Sequence, residues 1–276
     1  MGNFVDYKWL MDNLKNDKLI ILDARAGLQD PEEGIKAYNE GHIKRAQFVS
    51  LEEVMTGEIS THGGRHPLPN IENFTEDMKD LGMKDDSTVV IYDNGNIAMA
   101  GRLWWLLRYF GKEDVFILEG GIKGWKDNNG QITTKIPKVE KSDSLNLKIN
   151  KDMKIDMEHV KDIIDDDNSV IVDARSYERY IGEVEPMDKI PGHIPNAVNY
   201  PWTDLVKDGE ILSIDKLKDK FKDLQDKDEV IVHCGSGITG IVNLLLMEEI
   251  GLRPKLYPGG YSDWISYDDN EIIKGE

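Results

Sequence analysis

Short runs of apolar residues alternate along this chain with longer segments in which apolar residues recur every three or four positions. The short runs at residues 19–22 (LIIL), 89–92 (VVIY) and 115–118 (VFIL) are apolar throughout, which is typical of strands covered on both faces. The longer segments have the spacing of amphipathic helices. We therefore predict an α/β fold with mostly parallel sheets flanked by helices. The helix after the second run has its buried stripe at Met99, Leu103, Leu106, Leu107 and Phe110.

The same signals occur twice in the same order. Asp-Ala-Arg at 23–25 returns at 173–175, and Gly-His-Ile at 41–43 returns at 192–194. A Gly-Gly pair followed by Trp125 returns before Trp264. A repeat this long is a duplicated domain and not a solenoid. We predict a first domain at 1–135, a polar linker at 136–150 and a second domain at 151–276.

Composition and charge narrow the possible partners. The net charge of −18 over 276 residues argues against nucleic acid and anionic membranes as partners. No stretch of about 18 apolar residues is present, and the first residues lack the pattern of a secretory signal. We therefore expect a cytoplasmic protein. The single cysteine excludes an intramolecular disulfide and a cysteine-rich metal site.

That cysteine, Cys234, follows the apolar run at 230–232 and begins a glycine-containing loop that leads into helical spacing. A loop between a strand and a helix N-terminus directs backbone N–H groups at an anion. Thiols in such places have pKa values of roughly 3.5–7.5 in place of about 8.5. A free cysteine is often only a small buried hydrophobe, but packing alone does not require glycine at 235 and 237. We predict a nucleophilic thiolate.

These repeated motifs, with the strand–cysteine loop, resemble the tandem-domain rhodanese family, and its mercaptopyruvate and thiosulfate sulfurtransferases in particular. The resemblance implies a catalytically inactive first domain, with Asp93 in the place of the cysteine, and a catalytic second domain. It implies transfer of sulfane sulfur from a small anionic donor, 3-mercaptopyruvate, through a Cys234 persulfide. The acceptor would be a thiol such as thioredoxin, or cyanide, and the reaction would need no metal or other cofactor.

The resemblance also implies the donor-binding residues. Arg179 matches the arginine that binds the donor's anionic group, and the active loop would contact the donor. Arg175 is expected to be structural, because its twin Arg25 lies in the copy without a cysteine. A second arginine common in mercaptopyruvate enzymes is missing from residues 183–189, where Lys189 offers only a point charge. The predicted loop contacts are Gly235, Ser236, Gly237, Ile238 and Thr239.

A proton relay is a further expectation from the resemblance. Ser236 would receive a proton from His42, with an acid near Asp30 behind it, across the two domains. His42 is equally well explained as structural, because His193 repeats it. His66 is another candidate histidine, whereas strand alternation directs the side chain of His233 away from the site.

Three other functions compete with this one. A cysteine-dependent phosphatase needs an arginine six residues after the cysteine, where this chain has Gly240. A thiosulfate:cyanide sulfurtransferase shares all the chemistry except the recognition of the donor. A sulfur carrier would accept persulfide sulfur from a protein without using a small donor.

Overall fold

The computed structural model describes residues 2–28, 30–207 and 209–276, which form two compact units. The first unit contains residues 2–57, 69–150 and 209–210. The second contains Glu58–Leu68, Lys151–Lys207 and Ile211–Glu276. The units therefore differ from the predicted domains in three ways. Residues 58–68 belong with the second copy, whereas the predicted linker 136–150 and residues 209–210 belong with the first.

The first unit is built on a five-stranded sheet in the order β1-β6-β5-β2-β4, in which every neighbouring pair is parallel. Strands β3 and β7 form a separate antiparallel pair. The strands are β1 (Phe4–Val5), β2 (Leu19–Asp23), β3 (His42–Ile43), β4 (Gln47–Phe48), β5 (Thr88–Tyr92), β6 (Val115–Leu118) and β7 (Ile132–Thr133). The helices are α1 (Tyr7–Asn13), α2 (Glu33–Glu40), α3 (Ile71–Asp80), α4 (Ala98–Tyr109) and α5 (Gly121–Asp127).

The second unit repeats this plan with a four-stranded parallel sheet in the order β13-β12-β8-β9. A short pair, β10 and β11, stands apart from it. The helices are α6 (Met157–Ile163), α7 (Tyr177–Tyr180), α8 (Ile214–Lys220), α9 (Gly240–Glu249) and α10 (Gly260–Trp264). The strands are β8 (Ser169–Asp173), β9 (Val198–Asn199), β10 (Val206–Lys207), β12 (Glu229–His233) and β13 (Lys255–Leu256), together with β11 (Glu210–Ile211), whose first residue belongs to the first unit.

Each unit has a core of its own, built from strand and helix side chains. Trp125 and Trp264, the tryptophans of the repeated Gly-Gly motif, are both completely or almost completely buried. The central strands β5 and β12 are buried along nearly their whole length, as their continuous apolar runs predict. The predicted α/β fold with parallel sheets is confirmed.

Within the described ranges, no helix is both long enough and apolar enough to cross a bilayer.

The repeated Asp-Ala-Arg motif makes the same buried ion pair in both units. Arg25 Nη2 donates to Asp23 at 2.6 Å and to the carbonyl of Gly41 at 2.9 Å. Arg175 Nη2 donates to Asp173 at 2.7 Å and to the carbonyl of Gly192 at 2.7 Å. An arrangement present in both copies serves the fold, as the sequence predicts for Arg175.

Residues 58–68 are fixed to the second unit by hydrogen bonds to α10 and the residues after it. Nδ1 of His62 lies 2.8 Å from Ser266 Oγ, and the backbone N–H of Gly63 donates to Asp263 at 2.6 Å. The N–H of Arg65 donates to Ser262 Oγ at 3.1 Å. These contacts explain why this stretch of the first sequence copy belongs to the second unit.

The predicted linker is likewise held by hydrogen bonds, here to the first unit. The N–H and hydroxyl of Ser142 donate to backbone carbonyls at 2.9 and 2.6 Å. Asn146 donates two hydrogen bonds to the carboxylate of Asp85, both of 2.7 Å. A polar composition predicted a surface path for this segment, but these pairings are made through the fold and have no local sequence signal.

Candidate active site

The centre of the site is the loop between β12 and α9, which begins at Cys234. The Cys234 side chain is only 2% exposed. Burial alone would raise the pKa of the thiol, but the hydroxyl of Thr239 and the N–H groups of Gly240, Ser236 and Ile238 hold that pKa below its ordinary value. These donors stabilise a thiolate. The loop therefore forms the anion cradle that its sequence predicts.

The N–H groups of the loop face the sulfur because two of its carbonyl groups point away from it and accept hydrogen bonds from α10. The N–H of Tyr261 donates to the carbonyl of Cys234 at 2.8 Å, and that of Ser262 donates to Gly235 at 2.9 Å. Gly237 has a φ of +73°, and a Cβ there would lie 2.2 Å from the carbonyl oxygen of Pro258. Glycine is therefore required at this position for both backbone conformation and space.

Two guanidinium groups lie over Gly235, next to the nucleophile. A Cβ built on Gly235 would lie 2.7 Å from Nη2 of Arg65 and 3.4 Å from Nη2 of Arg179. Arg179 is the residue that the sequence proposed, and it comes from α7. Arg65 comes from the segment at 58–68, and sequence reasoning did not identify it. Burial and the charge of Arg179 lower the pKa of Arg65, while the nearby Cys234 acts in the opposite direction.

Two carboxylates from the loop after α7 hold these arginines. Arg179 donates to Glu185 through Nε and Nη2, at distances of 2.8–3.1 Å, and to Asp188 through Nη2 at 2.9 Å. The other oxygen of Asp188 pairs with Nη1 of Arg65. Both carboxylates are 2% exposed. Lys189, the predicted substitute cation, has an exposed side chain.

Ser236 has a different histidine partner from the one that the sequence favoured. Its hydroxyl lies 2.8 Å from Nδ1 of His66. His42 is buried in the first unit, stacked 3.9 Å from Tyr38, with its ring nitrogens 2.9 and 3.3 Å from carbonyl oxygens of Tyr38 and Lys135. Of the two candidate histidines, His66 is therefore the one that the structure brings to Ser236, whereas the ring nitrogens of His42 face carbonyl oxygens of its own unit.

The twin histidine explains the place of His42. His193 stacks 3.9 Å from Tyr180, and its Nδ1 lies 2.9 Å from the Tyr180 carbonyl oxygen. The repeated Gly-His-Ile motif therefore has the same structural contact in both copies. Asp30, near which the relay acid was expected, is exposed and accepts a hydrogen bond from the N–H of Glu32 at 3.0 Å.

Two further titratable residues near the loop, His233 and Asp173, are buried in the second unit. His233 is fully buried, and burial lowers its pKa. Asp173 is also fully buried; desolvation opposes its charge, but Arg175 and His233 lower its pKa to about 2. Among the described residues, no group of three or more His, Cys, Asp or Glu side chains is arranged to hold a metal ion.

The model of the Rhodanese-like domain family matches this chain twice, over residues 6–128 and 156–267. The chain belongs to the rhodanese family. Both the predicted family and its tandem arrangement are confirmed. The two matched regions correspond to the two sheets, and the second contains the Cys234 loop.

Relatives of this rhodanese chain span nearly its whole length. A probable 3-mercaptopyruvate sulfurtransferase of Pseudomonas aeruginosa is 34% identical over an alignment of 274 positions, which covers 97% of this chain and 96% of the relative. A putative thiosulfate sulfurtransferase, SseB, of Mycobacterium tuberculosis is 33% identical over 264 residues, 94% of this chain and 92% of the relative.

A solved structure is similar in both sequence and fold. It is the crystal structure of SseA from Escherichia coli, described with the rhodanese fold and catalytic mechanism of 3-mercaptopyruvate sulfotransferases. Its TM-score is 0.84 at 33% identity, with 95% of this chain and 100% of the SseA chain covered.

Proposed function

We propose that this rhodanese chain is a sulfurtransferase that takes sulfur from 3-mercaptopyruvate onto Cys234. The observation that carries the proposal is a thiolate-stabilising loop with two guanidinium groups beside it. The thiolate is the nucleophile, and the guanidinium groups suit the donor's carboxylate. Relatives with the mercaptopyruvate name cover almost the whole chain.

The first half-reaction forms the persulfide. The Cys234 thiolate attacks the sulfur of 3-mercaptopyruvate, and a new S–S bond forms as the donor's C–S bond breaks. The electron pair of that bond remains on carbon as the enolate of pyruvate. The enolate takes up the proton that the donor thiol gives up, so the products are pyruvate and a Cys234 persulfide anion.

The loop and the Ser236–His66 pair support this step. Loop N–H groups stabilise the persulfide as they stabilise the thiolate. Ser236, 2.8 Å from His66, donates its proton to the donor carbonyl on which the enolate charge develops, and His66 restores the serine proton. The proton that the donor thiol gives up returns to His66, so the relay carries that one proton to the enolate. This assignment follows the predicted relay but uses the histidine that the structure brings to Ser236.

The second half-reaction returns the thiolate. A thiol acceptor such as thioredoxin, or cyanide, attacks the outer sulfur, and the S–S bond breaks to release Cys234 as its thiolate. Cyanide leaves as thiocyanate, and a thiol leaves as its persulfide. A free active thiol and a thiol acceptor suit a reducing compartment such as the cytoplasm.

Thiosulfate is the competing donor, and the SseB relative favours it. In that case the thiolate attacks the outer sulfur, and sulfite leaves with the electron pair of the S–S bond. Donor choice then depends on how the arginines and Ser236 contact the leaving group. Ser236 has a carbonyl to contact only in mercaptopyruvate.

The deciding experiment measures kcat/KM for both donors with cyanide as acceptor and the Cys234→Ser variant as the blank. We expect at least a tenfold preference for 3-mercaptopyruvate, which equals about 1.4 kcal/mol of transition-state discrimination. The reverse preference would assign the chain as a thiosulfate sulfurtransferase. Charging of Cys234 by a partner protein, with neither small donor active, would make it a sulfur carrier.

A further inference from the structure

Arg65 lies where a second donor-binding cation was expected, and for which the sequence offered only Lys189. Residues 183–189 lack the second arginine expected there and instead contribute Asp188. The carboxylate of Asp188 bridges Arg179 and Arg65, one oxygen to each guanidinium. A cation from a distant segment is thereby fixed beside the first one, within the same unit.

Protein groups accept hydrogen bonds from only some of the N–H donors of the Arg65 guanidinium. Its Nη1 pairs with Asp188, and its Nη2 is directed at the space above Gly235. Among the described residues, its buried Nε has no hydrogen-bond partner. The side chain is 28% exposed, compared with 17% for Arg179. Arg65 therefore has unused donor capacity next to the nucleophile and remains open to a small molecule.

The charges around Cys234 show why a second cation is needed there. Each guanidinium in the cluster is matched by a carboxylate, so an ionised Cys234 leaves the site with a net negative charge. The cluster consists of Arg65, Arg175 and Arg179 with Asp173, Glu185 and Asp188. An anionic donor must approach this thiolate. A guanidinium that faces the donor offsets that repulsion locally.

We propose that Arg65 is the second donor-binding arginine of this site, with Asp188 as its positioning residue. The inference rests on the proposed sulfurtransferase function and specifies how the donor's anionic group is held. Arg179 and Arg65 bind that group from two directions above Gly235. Glycine at 235 leaves room for both guanidinium groups and for the donor.

Alkylation of Cys234 tests this charge without turnover. Iodoacetate is anionic and iodoacetamide neutral, so the ratio of their rate constants reports how strongly the site attracts an anion to the thiolate. With one cysteine in the chain, the reaction has one site. Arg65→Gln should lower the ratio about tenfold, as expected for loss of a unit charge at close range. Lys189→Gln, which removes an exposed neighbouring cation, should leave it within about twofold.

Steady-state kinetics provide the second readout. Arg65→Gln should raise KM for 3-mercaptopyruvate about tenfold and leave kcat nearly unchanged, because the carboxylate is held equally in the ground and transition states. Arg65→Lys should have an intermediate effect, since it keeps the charge but not the two-pronged geometry. Thermal melting of all the variants separates loss of binding from loss of fold.

The outcomes distinguish failure of the proposed role of Arg65 from failure of the proposed function. A wild-type alkylation ratio and KM in a folded Arg65→Gln variant would overturn the role of Arg65 while leaving sulfurtransferase activity intact. Failure of the wild-type chain to form a persulfide from either donor would overturn the proposed function. In that event the alkylation ratio still decides whether Arg65 attracts anions to Cys234.

Discussion

The pKa of Cys234 is lowered because the N–H groups of its loop point at the sulfur. The loop carbonyls of Cys234 and Gly235 accept hydrogen bonds from the start of α10. The N–H groups are left to face the sulfur, and the Thr239 hydroxyl joins them. Backbone donors fixed in this way stabilise an anion without having to reorganise during the reaction.

The lowered pKa of Cys234 predicts how its reactivity depends on pH. A thiol whose pKa lies below its ordinary value becomes a thiolate at a lower pH than free cysteine. We expect iodoacetamide alkylation of Cys234 to reach half its maximum rate below the pH found for cysteine in a short peptide, and to remain constant above that point. Thr239→Val removes one donor and should move the midpoint upward. A midpoint equal to that of the peptide would show that the cradle does not stabilise the thiolate.

Sequence alone could identify Cys234 but not Arg65, for a physical reason. The thiol's environment is made by its own strand, loop and helix, so the signal lies within a dozen residues. Arg65 reaches the thiol only because residues 62–65 bond to α10 and its neighbours. That path depends on tertiary contacts. Its one visible signal was the neighbouring His66, which the sequence offered as a candidate.

At the scale of elements, the loop after the central strand directs its N–H groups at an acidic side chain in both units, but that side chain differs. In the first unit, Asp93 follows β5, and its carboxylate accepts the N–H groups of Gly95, Ile97, Met99 and Ala100 at 2.7–3.3 Å. In the second unit, Cys234 follows β12 and is stabilised by N–H groups two, four and six residues later. The carboxylate fills the position of the thiolate but cannot carry sulfur.

This likeness predicts that a change at Asp93 affects the stability of the fold and not the sulfurtransferase activity. Asp93→Asn should keep kcat/KM within about twofold of wild type, because our proposal assigns sulfur transfer to Cys234 and gives Asp93 no part in it. It should lower the free energy of unfolding by about 1–3 kcal/mol, because an amide has one acceptor oxygen where the carboxylate has two. Chemical denaturation and the sulfurtransferase assay measure the two effects. Loss of activity at unchanged stability would contradict an inactive first domain.

The elements themselves were predictable where their sequence pattern was long enough. The central strands β2, β5 and β12 are five residues each, and the apolar runs at 19–22, 89–92 and 230–232 marked them. The two-residue strands β3 and β7 gave no periodic signal and pair only because the fold brings them together. Repetition of motifs made the family and the sheet architecture predictable without knowledge of these short pairs.

Across the whole molecule, a net charge of −18 opposes the approach of an anionic donor. Salt screens this long-range repulsion, since the Debye length falls from about 30 Å at 0.01 M to 10 Å at 0.1 M. Close pairs at the buried arginines are screened much less. We expect kcat/KM for 3-mercaptopyruvate to rise about threefold over this range of sodium chloride. A steady fall with salt would mean that attraction by the arginines dominates at long range as well.

The second unit combines residues from both sequence copies. Its Cys234 loop comes from the second copy, whereas residues 58–68 come from the first. The duplicated sequence suggests that the second copy could exist alone as a small gene product. Such a product would keep the nucleophile and its loop but would leave behind Arg65 and His66, which are encoded in the first copy. A gene product of the second copy alone would therefore lack one of the two arginines that we propose hold the donor, together with the histidine beside Ser236.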